Sequence, residues 1–462
     1  MTMASDMSAS HICPQNPPIT HSTPHIHQHN AGGLSGVADE QSLRFARDIQ
    51  WKVVGPMPPD TFLDEFLPCS SKVPRFKSVT FSAVPDDPTK ESTIYGPLVS
   101  SGVLPSLLHS SPTQRDALNV VLAKSNLAFY DTSNRPESPG QVGTSKPDLG
   151  MFRKDDVNRG NLKHTHKPAE GGAPGEYVYT ARMGEVYMFV EVKTSDDLDP
   201  FTDPPGSSTT PGYHFTIDAG QEYPNDRDAK YRVSALGQNT CYAHVVQNRQ
   251  FRTCVYSISV AGTTARLLRW DRTGVVVTES FNYKSEPGIL INFVWRFSKA
   301  TNEQRGFDGS ARAVDSPEER QRFYDAIKKH VQEQLPELSD KEVEEEANRH
   351  FCPGVLTRLT VGADEEARDI LVSRPMFTSK GATGRSTMGY WGVDCTTDDV
   401  VFVKDVWRTD VPDVRTEGAV MKELLEAGVQ NIPGLVCHGD VLHNGEAAFL
   451  VPANSSRSHF AR

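Results

Sequence analysis

The chain has 462 residues, more than one hydrophobic core usually holds, which predicts several structural units. Its formal net charge of -11 argues against the uniformly basic surface that grips nucleic acid, so net charge does not indicate a nucleic-acid partner. Seven cysteines without a C-x-x-C pair argue against a disulfide framework or a zinc ribbon. No apolar run is long enough to predict a membrane span. We therefore expect an intracellular protein, cytoplasmic or nuclear.

Residues 11–30 are rich in His, Pro, Ser and Thr and have no flanking apolar pattern, and we predict a disordered N-terminal tail over residues 1–40. Helical spacing of apolar residues then predicts helices at 41–52, 60–67, 92–104 and 113–125. Strands are predicted at 127–130 and 147–152.

The clearest strand covers residues 184–193, and a long helix is predicted at 226–250. Three strands at 251–260, 265–271 and 274–281 and a helix at 289–297 complete the pattern. We therefore expect residues 41–305 to form an α/β domain with a helical N-terminal extension, in which helices flank a central mixed sheet.

Residues 306–350 carry two charged helices and are predicted to be a connector. Strand patterns return at 356–361, 369–373 and 400–404, so we predict a smaller α+β domain at 351–450, followed by a disordered tail at 451–462. The predicted fold class is mixed, with α/β and α+β parts.

Three polar residues of the first domain form a candidate site. Glu191 and Lys193 are two residues apart on a strand and point to the same face, and Asp148 lies on the strand predicted before them. Mg²⁺ prefers one or two carboxylates with waters and phosphates, and a lysine stabilises charge that develops on a phosphorus centre. This cluster therefore predicts phosphodiesterase chemistry, unless the Glu and Lys are only cross-strand charge partners.

Pro147-Asp148 and Glu191-Val192-Lys193 resemble the PD-(D/E)XK nuclease fold, which is restriction-endonuclease-like. The resemblance implies metal binding by Asp148 and Glu191, with Glu91 as an additional acid. Gln238 and Tyr242 are similar to the Gln-x-x-x-Tyr spacing that RecB-like members place beside the active site. A shared fold does not by itself imply cleavage.

A second candidate site lies near the C-terminal end. The strand that ends in Lys404 follows a glycine-bearing turn with Gly381, Gly384 and Gly389, and Glu417 opens a helix 13 residues later. A glycine loop over phosphates, a strand Lys and a helix Glu are the layout of a kinase small lobe. The turn departs from G-x-G-x-x-G and also fits a plain surface turn, and Glu417 is favoured at a helix start in any case.

Further segments resemble the fungal-type protein kinase family over about residues 60–445. Near the lysine they are Val401 to Arg408, Glu417-Gly418 and Glu426 to Pro433. Upstream they are Phe251-Arg252-Thr253, Arg266 to Arg272, Phe293 to Phe297 and Gln304 to Asp308. The resemblance implies Ser/Thr phosphorylation with ATP and Mg²⁺.

The sequence departs from a working kinase because nothing after Lys404 supplies the H-R-D-x-x-x-x-N or D-F-G elements, which carry the general base and metal ligands. His438-Gly439-Asp440 with Asn444 mimics such a loop, but we interpret it as coincidence because it lies too soon after Lys404. We expect a truncated kinase lobe that is inactive alone.

Three hypotheses remain. The leading one is a truncated member of the fungal-type kinase family that binds ATP. The second is a Mg²⁺-dependent PD-(D/E)XK-like nuclease or nucleic-acid-binding module, for which Arg266, Arg269, Arg272 and Lys284 would supply a basic edge or else be ordinary exposed strand positions. The third is a non-catalytic pseudoenzyme that binds a protein partner.

Overall fold

The computed structural model describes residues 34–71, 73–74, 76, 79–99, 117–136, 146–158, 163–165, 177–206, 213–352, 355–362, 367–409, 415–443, 446–447 and 455–461. The helices of this part are α1 (Leu34–Ile49), α2 (Pro59–Phe66), α3 (Ser92–Val99), α4 (Ala117–Val121), α5 (Lys154–Asn158), α6 (Arg227–Arg249), α7 (Pro287–Lys299), α8 (Pro317–Gln334), α9 (Asp340–His350) and α10 (Glu417–Glu426), with a 3₁₀ turn at Asp196–Leu198.

The strands of the described residues belong to two large sheets and two small hairpins. They are β1 (Val53–Met57), β2 (Leu127–Asp131), β3 (Leu149–Arg153), β4 (Lys163–Thr165), β5 (Tyr177–Tyr179), β6 (Met188–Lys193), β7 (Val255–Ala261), β8 (Thr264–Trp270), β9 (Val275–Thr278), β10 (Phe281–Asn282), β11 (Ala311–Ala313), β12 (Thr357–Val361), β13 (Arg368–Phe377), β14 (Met388–Asp394), β15 (Val400–Thr409), β16 (Cys437–Asp440), β17 (Leu442–His443), β18 (Glu446–Ala447) and β19 (Ser455–Ala461).

The first sheet is mixed, which confirms a mixed α and β fold. Its strand order is β1-β9-β8-β7-β6-β3-β2, and β10 pairs with β8. The β1/β9 and β6/β7 pairs are parallel and the others are antiparallel. Helix α6 connects the parallel strands β6 and β7, as a parallel crossover requires.

Helices cover both faces of the first sheet because its strands are apolar on both sides. Phe62 of α2 and Phe293 of α7 pack on the face that carries Val190. Ala46 of α1 and Leu236 of α6 belong to the core on the opposite face.

The second sheet is antiparallel, in the order β11-β12-β13-β14-β15-β19-β16. Phe323 of α8 and Val343 of α9 pack with Trp391 of β14 on one face. Residues 306–350, predicted to be a connector, therefore contribute β11, α8 and α9 to the layer around this sheet. The local charge pattern did not reveal this packing, because each helix buries only a narrow apolar stripe.

Several predicted boundaries are wrong. Helix α1 begins at Leu34, inside the predicted N-terminal tail, whose residues 1–33 lie outside the described chain. Ser455–Ala461 of the predicted C-terminal tail forms β19, between β15 and β16. Strands β1 and β14 were not predicted, since Gly55, Pro56, Gly389 and Gly392 weaken their strand patterns.

In the part of the chain that the structure describes, no helix is long and apolar enough to cross a membrane.

Candidate functional sites

The acidic candidate site forms where β3 and β6 lie side by side. Leu149 pairs with Val190 in an antiparallel register, so the strand after Asp148 and the strand that carries Glu191 are adjacent. Lys193 Nζ lies 2.7 Å from Glu191 Oε1 and 3.2 Å from Glu91 Oε1, just before α3. The structure therefore brings together the predicted lysine and two of the predicted acids.

Asp148 joins this cluster but is held by other groups. Tyr95 of α3 donates its hydroxyl to Asp148 Oδ1 at 2.5 Å, and the backbone N–H of Val192 donates to Oδ2 at 2.8 Å. Sequence reasoning missed Tyr95, although its position four residues after Glu91 was a usable signal, since such residues share a helix face.

Burial dominates the electrostatics of the cluster. It raises the pKa of Asp148 well above its ordinary value, and the negative charge of Glu191 adds to the effect while Lys193 partly offsets it. Burial likewise raises the pKa of Glu191 against the attraction of Lys193. Burial lowers the pKa of Lys193, but the nearby Glu191 and Glu91 outweigh it and raise the pKa overall. A bound cation would offset the negative charge of these buried carboxylates.

The two helix residues predicted for this site differ in their contacts. Tyr242 of α6 packs edge-on against Phe189, with ring centroids 5.7 Å apart, and donates its hydroxyl to Lys146 O at 3.0 Å. Burial and the negative charge of Glu191 raise the pKa of Tyr242, which places it beside the cluster. The buried Oε1 of Gln238 accepts no hydrogen bond within the described residues.

The acids form only a partial metal site. Glu191 Oε2 is buried and has no hydrogen-bond partner among the described residues, so it fits a metal ligand. Both oxygens of Asp148 already accept hydrogen bonds. Within the described ranges, no group of three or more His, Cys, Asp or Glu side chains is arranged to hold a metal ion.

The second candidate site lies on β15. Because strand residues alternate between faces, Lys404 shares a face with Phe402 and Val406. Val406 packs with Met421 of α10, which sets this helix over the face that carries the lysine. Lys404 is also directly opposite Gly389 of β14.

Helix α10 presents Glu417 at its first position. The Thr416 hydroxyl accepts a hydrogen bond from the Ala419 backbone N–H and so fixes the start of the helix. A Cβ on the next residue, Gly418, would lie 2.3 Å from His438 Cγ of β16. Glycine at 418 therefore allows the helix to approach the sheet closely.

Lys404 and Glu417 form a two-pronged ion pair. Nζ lies 2.6 Å from Oε1 and 2.5 Å from Oε2, and the lysine side chain is 18% exposed. The carboxylate holds the ammonium in place, and the lysine side chain as a whole stays partly exposed. It can therefore meet a phosphate that approaches from the open side.

The three predicted glycines have different surroundings. Gly381 and Gly384 lie in the segment between β13 and β14, residues 378–387, which we call the glycine loop. Gly389 lies in β14 rather than in a turn, so that part of the prediction is wrong. A Cβ on Gly389 would lie 2.4 Å from the Phe377 ring. Any side chain at position 389 would therefore clash with this ring.

The family model described as fungal protein kinase matches residues 213–451, just over half of the chain. The chain belongs to this family. The match runs from the segment before α6 to the residues after β18 and so includes Lys404 and Glu417. No curated protein and no solved structure matches the chain.

In this member of the fungal protein kinase family, His438, Gly439 and Asp440 lie in strand β16. Asp440 Oδ2 accepts a hydrogen bond from Arg408 Nη2 at 2.6 Å, and Asn444 lies outside the described residues. The interpretation of this motif as a coincidence stays a prediction.

The expected basic edge is not a free surface. Arg266 is buried and bound to Asp199 Oδ2 at 2.7 Å and Asp203 Oδ1 at 2.6 Å. Arg269 is paired with Asp271, and Arg272 is 3% exposed. Lys284 donates to Val84 O and Asp86. These charges are paired within the fold, and their pairing was not visible in the strand pattern.

Proposed function

We propose that this member of the fungal protein kinase family binds ATP through Lys404, with Glu417 holding the lysine in place. The observation that carries the proposal is the ion pair between a strand lysine and the first residue of the following helix. Kinase small lobes use this pair to hold the α- and β-phosphates.

The lobe around the second sheet supplies the groups that this role needs. The glycine loop precedes β14, which lies beside β15, so a nucleotide over Lys404 would have the loop at one end. When bound, Mg²⁺ would neutralise phosphate charge. These 462 residues contain no His-Arg-Asp or Asp-Phe-Gly, so we propose nucleotide binding, and not phosphoryl transfer, as their activity.

Thermal unfolding tests this proposal, because a ligand that binds only the native state raises the unfolding midpoint. ATP with Mg²⁺ should raise the midpoint of the wild-type chain and of Lys422→Ala, whose lysine is exposed on the same helix as Glu417. It should not raise the midpoint of Lys404→Ala. No shift in any of the three would overturn the proposal and favour a non-catalytic protein that acts through partners.

A second candidate function rests on the cluster of Asp148, Glu191 and Lys193. We infer a domain around the first sheet that resembles the PD-(D/E)XK fold, joined to a small-lobe domain around the second sheet. The buried Oε2 of Glu191 supports the inference, since it would be satisfied by a divalent cation. Glu191 and Asp148 would hold that cation, and Lys193 would stabilise charge on a phosphodiester.

Divalent cations alone test this second function. Mn²⁺ or Mg²⁺ should raise the unfolding midpoint of the wild-type chain but not that of Glu191→Gln, and single-stranded or duplex DNA should be cut only when Glu191 is present. Glu222→Gln, an exposed site, serves as the matched control. Equal metal shifts in wild type and Glu191→Gln would exclude a metal role for this carboxylate.

A further inference from the structure

The glycine loop is held by residues far upstream in the chain. Asn248 of α6 donates its side-chain amide to Ser379 O at 3.0 Å, and Arg44 of α1 donates to Lys380 O at 3.3 Å. Lys52 Nζ donates to the Thr383 hydroxyl. Helices α1 and α6 and the residue before β1 thus contact the loop.

An apolar contact reinforces these hydrogen bonds. Ala382, in the middle of the loop, is 6% exposed and belongs to a cluster with Phe45 of α1 and Cys241 of α6. The two helices lie close together because residue 237 is glycine, whose hypothetical Cβ would be 1.9 Å from Ser42 O. The loop therefore rests on a preformed surface of α1 and α6.

A backbone amide of the loop is also held. Gly384, with φ +94, donates its N–H to Arg272 O at 2.8 Å. Arg272 is fixed in turn, since its Nη2 donates to Asn248 Oδ1 at 2.7 Å and its Nη1 lies 3.3 Å from His244 Nδ1. Burial and the charge of Arg272 lower the pKa of His244 to about 3, so this ring stays uncharged at neutral pH.

Glycine loops hold phosphate groups with their backbone N–H groups, and an N–H makes one good hydrogen bond at a time. The N–H of Gly384 cannot reach a phosphate while it donates to Arg272 O. At Gly384, the hydrogen bond to Arg272 O and a hydrogen bond to a nucleotide phosphate therefore exclude each other.

We propose that the surface formed by α1, α6 and Arg272 acts as an autoinhibitory dock for the glycine loop, which competes with nucleotide phosphates and weakens ATP binding at Lys404. This inference rests on the proposed ATP-binding function and adds its regulation. A partner that weakened the contacts between the glycine loop and the dock would raise the affinity for ATP. Because binding is linked, ATP would weaken these contacts by the same factor.

The test compares the wild-type chain with Arg44→Ala/Asn248→Ala, which removes the hydrogen bonds to Lys380 O and Ser379 O and, with Asn248, its bonds to Arg272 and His244. Arg44 is exposed and Asn248 half-buried, so the variant should fold. The matched control is Arg47→Ala, on the same helix as Arg44 but bound to Ala219 O, away from the loop. Ala382→Asp is a second loosening variant, which places a charge against Phe45.

Two quantities are measured in each protein: hydrogen exchange of amides 378–387 without nucleotide, and the Kd for ATP with Mg²⁺. Both loosened variants should exchange the loop amides faster and bind ATP at least about fivefold more tightly than wild type, the lower end of typical coupling. Arg47→Ala should match wild type in both.

Faster loop exchange with unchanged or weaker ATP binding would overturn the inference, because the dock would then support the loop or be irrelevant to it. If wild type still bound ATP and Lys404→Ala did not, the proposed ATP-binding function would stand although this inference had failed. Absence of ATP binding in every protein would instead overturn the proposed function and this inference with it.

Discussion

Glu417 reaches Lys404 at 2.6 Å because Gly418, the next residue, lets helix α10 approach His438 of β16. The distance between the acid and the lysine thus depends on a residue that contacts neither a phosphate nor the lysine. This relationship can be broken without changing a charge.

Gly418→Ala should lower the affinity for ATP, because the new methyl group displaces α10 from His438 and with it Glu417. We expect a loss of stability of about 1–3 kcal/mol from overpacking, measured by urea unfolding, together with a higher Kd for ATP. Gly434→Ala, where a Cβ meets nothing within 4 Å, is the matched control.

Adding His438→Ala to Gly418→Ala makes room for the methyl group and should restore part of the ATP affinity. If Gly418→Ala bound ATP as tightly as wild type, the position of α10 would not matter to the site.

Asp440→Asn should leave ATP binding unchanged, because Asp440 of β16 accepts a hydrogen bond from Arg408 of β15 and is assigned no contact with phosphate. The loss of this partly exposed pair should cost about 1 kcal/mol or less. Calorimetric titration with ATP measures the first quantity and urea unfolding the second. A fall in affinity like that of Lys404→Ala would mean that the His438-Gly439-Asp440 segment acts as a catalytic loop after all.

Arg266→Met should destabilise the protein by about 3–5 kcal/mol, since it leaves Asp199 buried without its partner. Replacing Asp199 with Asn in the same chain should recover part of this loss. Arg312→Met, on an exposed position of β11, should change the free energy of unfolding by less than about 0.5 kcal/mol. A small effect of Arg266→Met would show that the arginine is not a structural residue and would reopen the basic-edge hypothesis.

The buried acid cluster predicts a pH dependence of stability. Glu191 has a raised pKa in the folded protein, so its contribution is fully present below its unfolded pKa of about 4.3 and is lost as the pH rises through the folded pKa. Glutamine does not ionise, so Glu191→Gln should not lose stability at this position as the pH rises. Its free energy of unfolding relative to wild type should therefore increase between pH 4 and pH 7. Free energies of unfolding across this range measure the difference.

Glu222→Gln, at an exposed position, should keep the same stability difference from wild type at each pH. A Glu191→Gln curve that ran parallel to the wild-type curve would contradict the raised pKa.

Local sequence patterns predicted the parts of both sites that depend on strand alternation and helix starts. Glu191 and Lys193 share a face because they are two residues apart on β6, and Thr416 marks the start of the helix that carries Glu417. The strand patterns at 184–193 and 251–260 likewise predicted β6 and β7.

Contacts between distant segments had no such signal. Gly384 and Arg272 are 112 residues apart, and nothing in the spacing around Gly384 indicates that its N–H binds a carbonyl of the first-sheet layer. The burial of Arg266 was hidden likewise, because an alternating strand with arginines looks the same whether its charges meet water or carboxylates.

The most direct test of the account is calorimetric titration of ATP with Mg²⁺ into the wild-type chain and into Lys404→Ala. The account predicts one nucleotide bound per wild-type chain and no measurable heat of binding with Lys404→Ala, while both proteins remain folded. Equal binding by the two proteins, or no binding by wild type, would contradict the assignment of Lys404 and Glu417 as the nucleotide site.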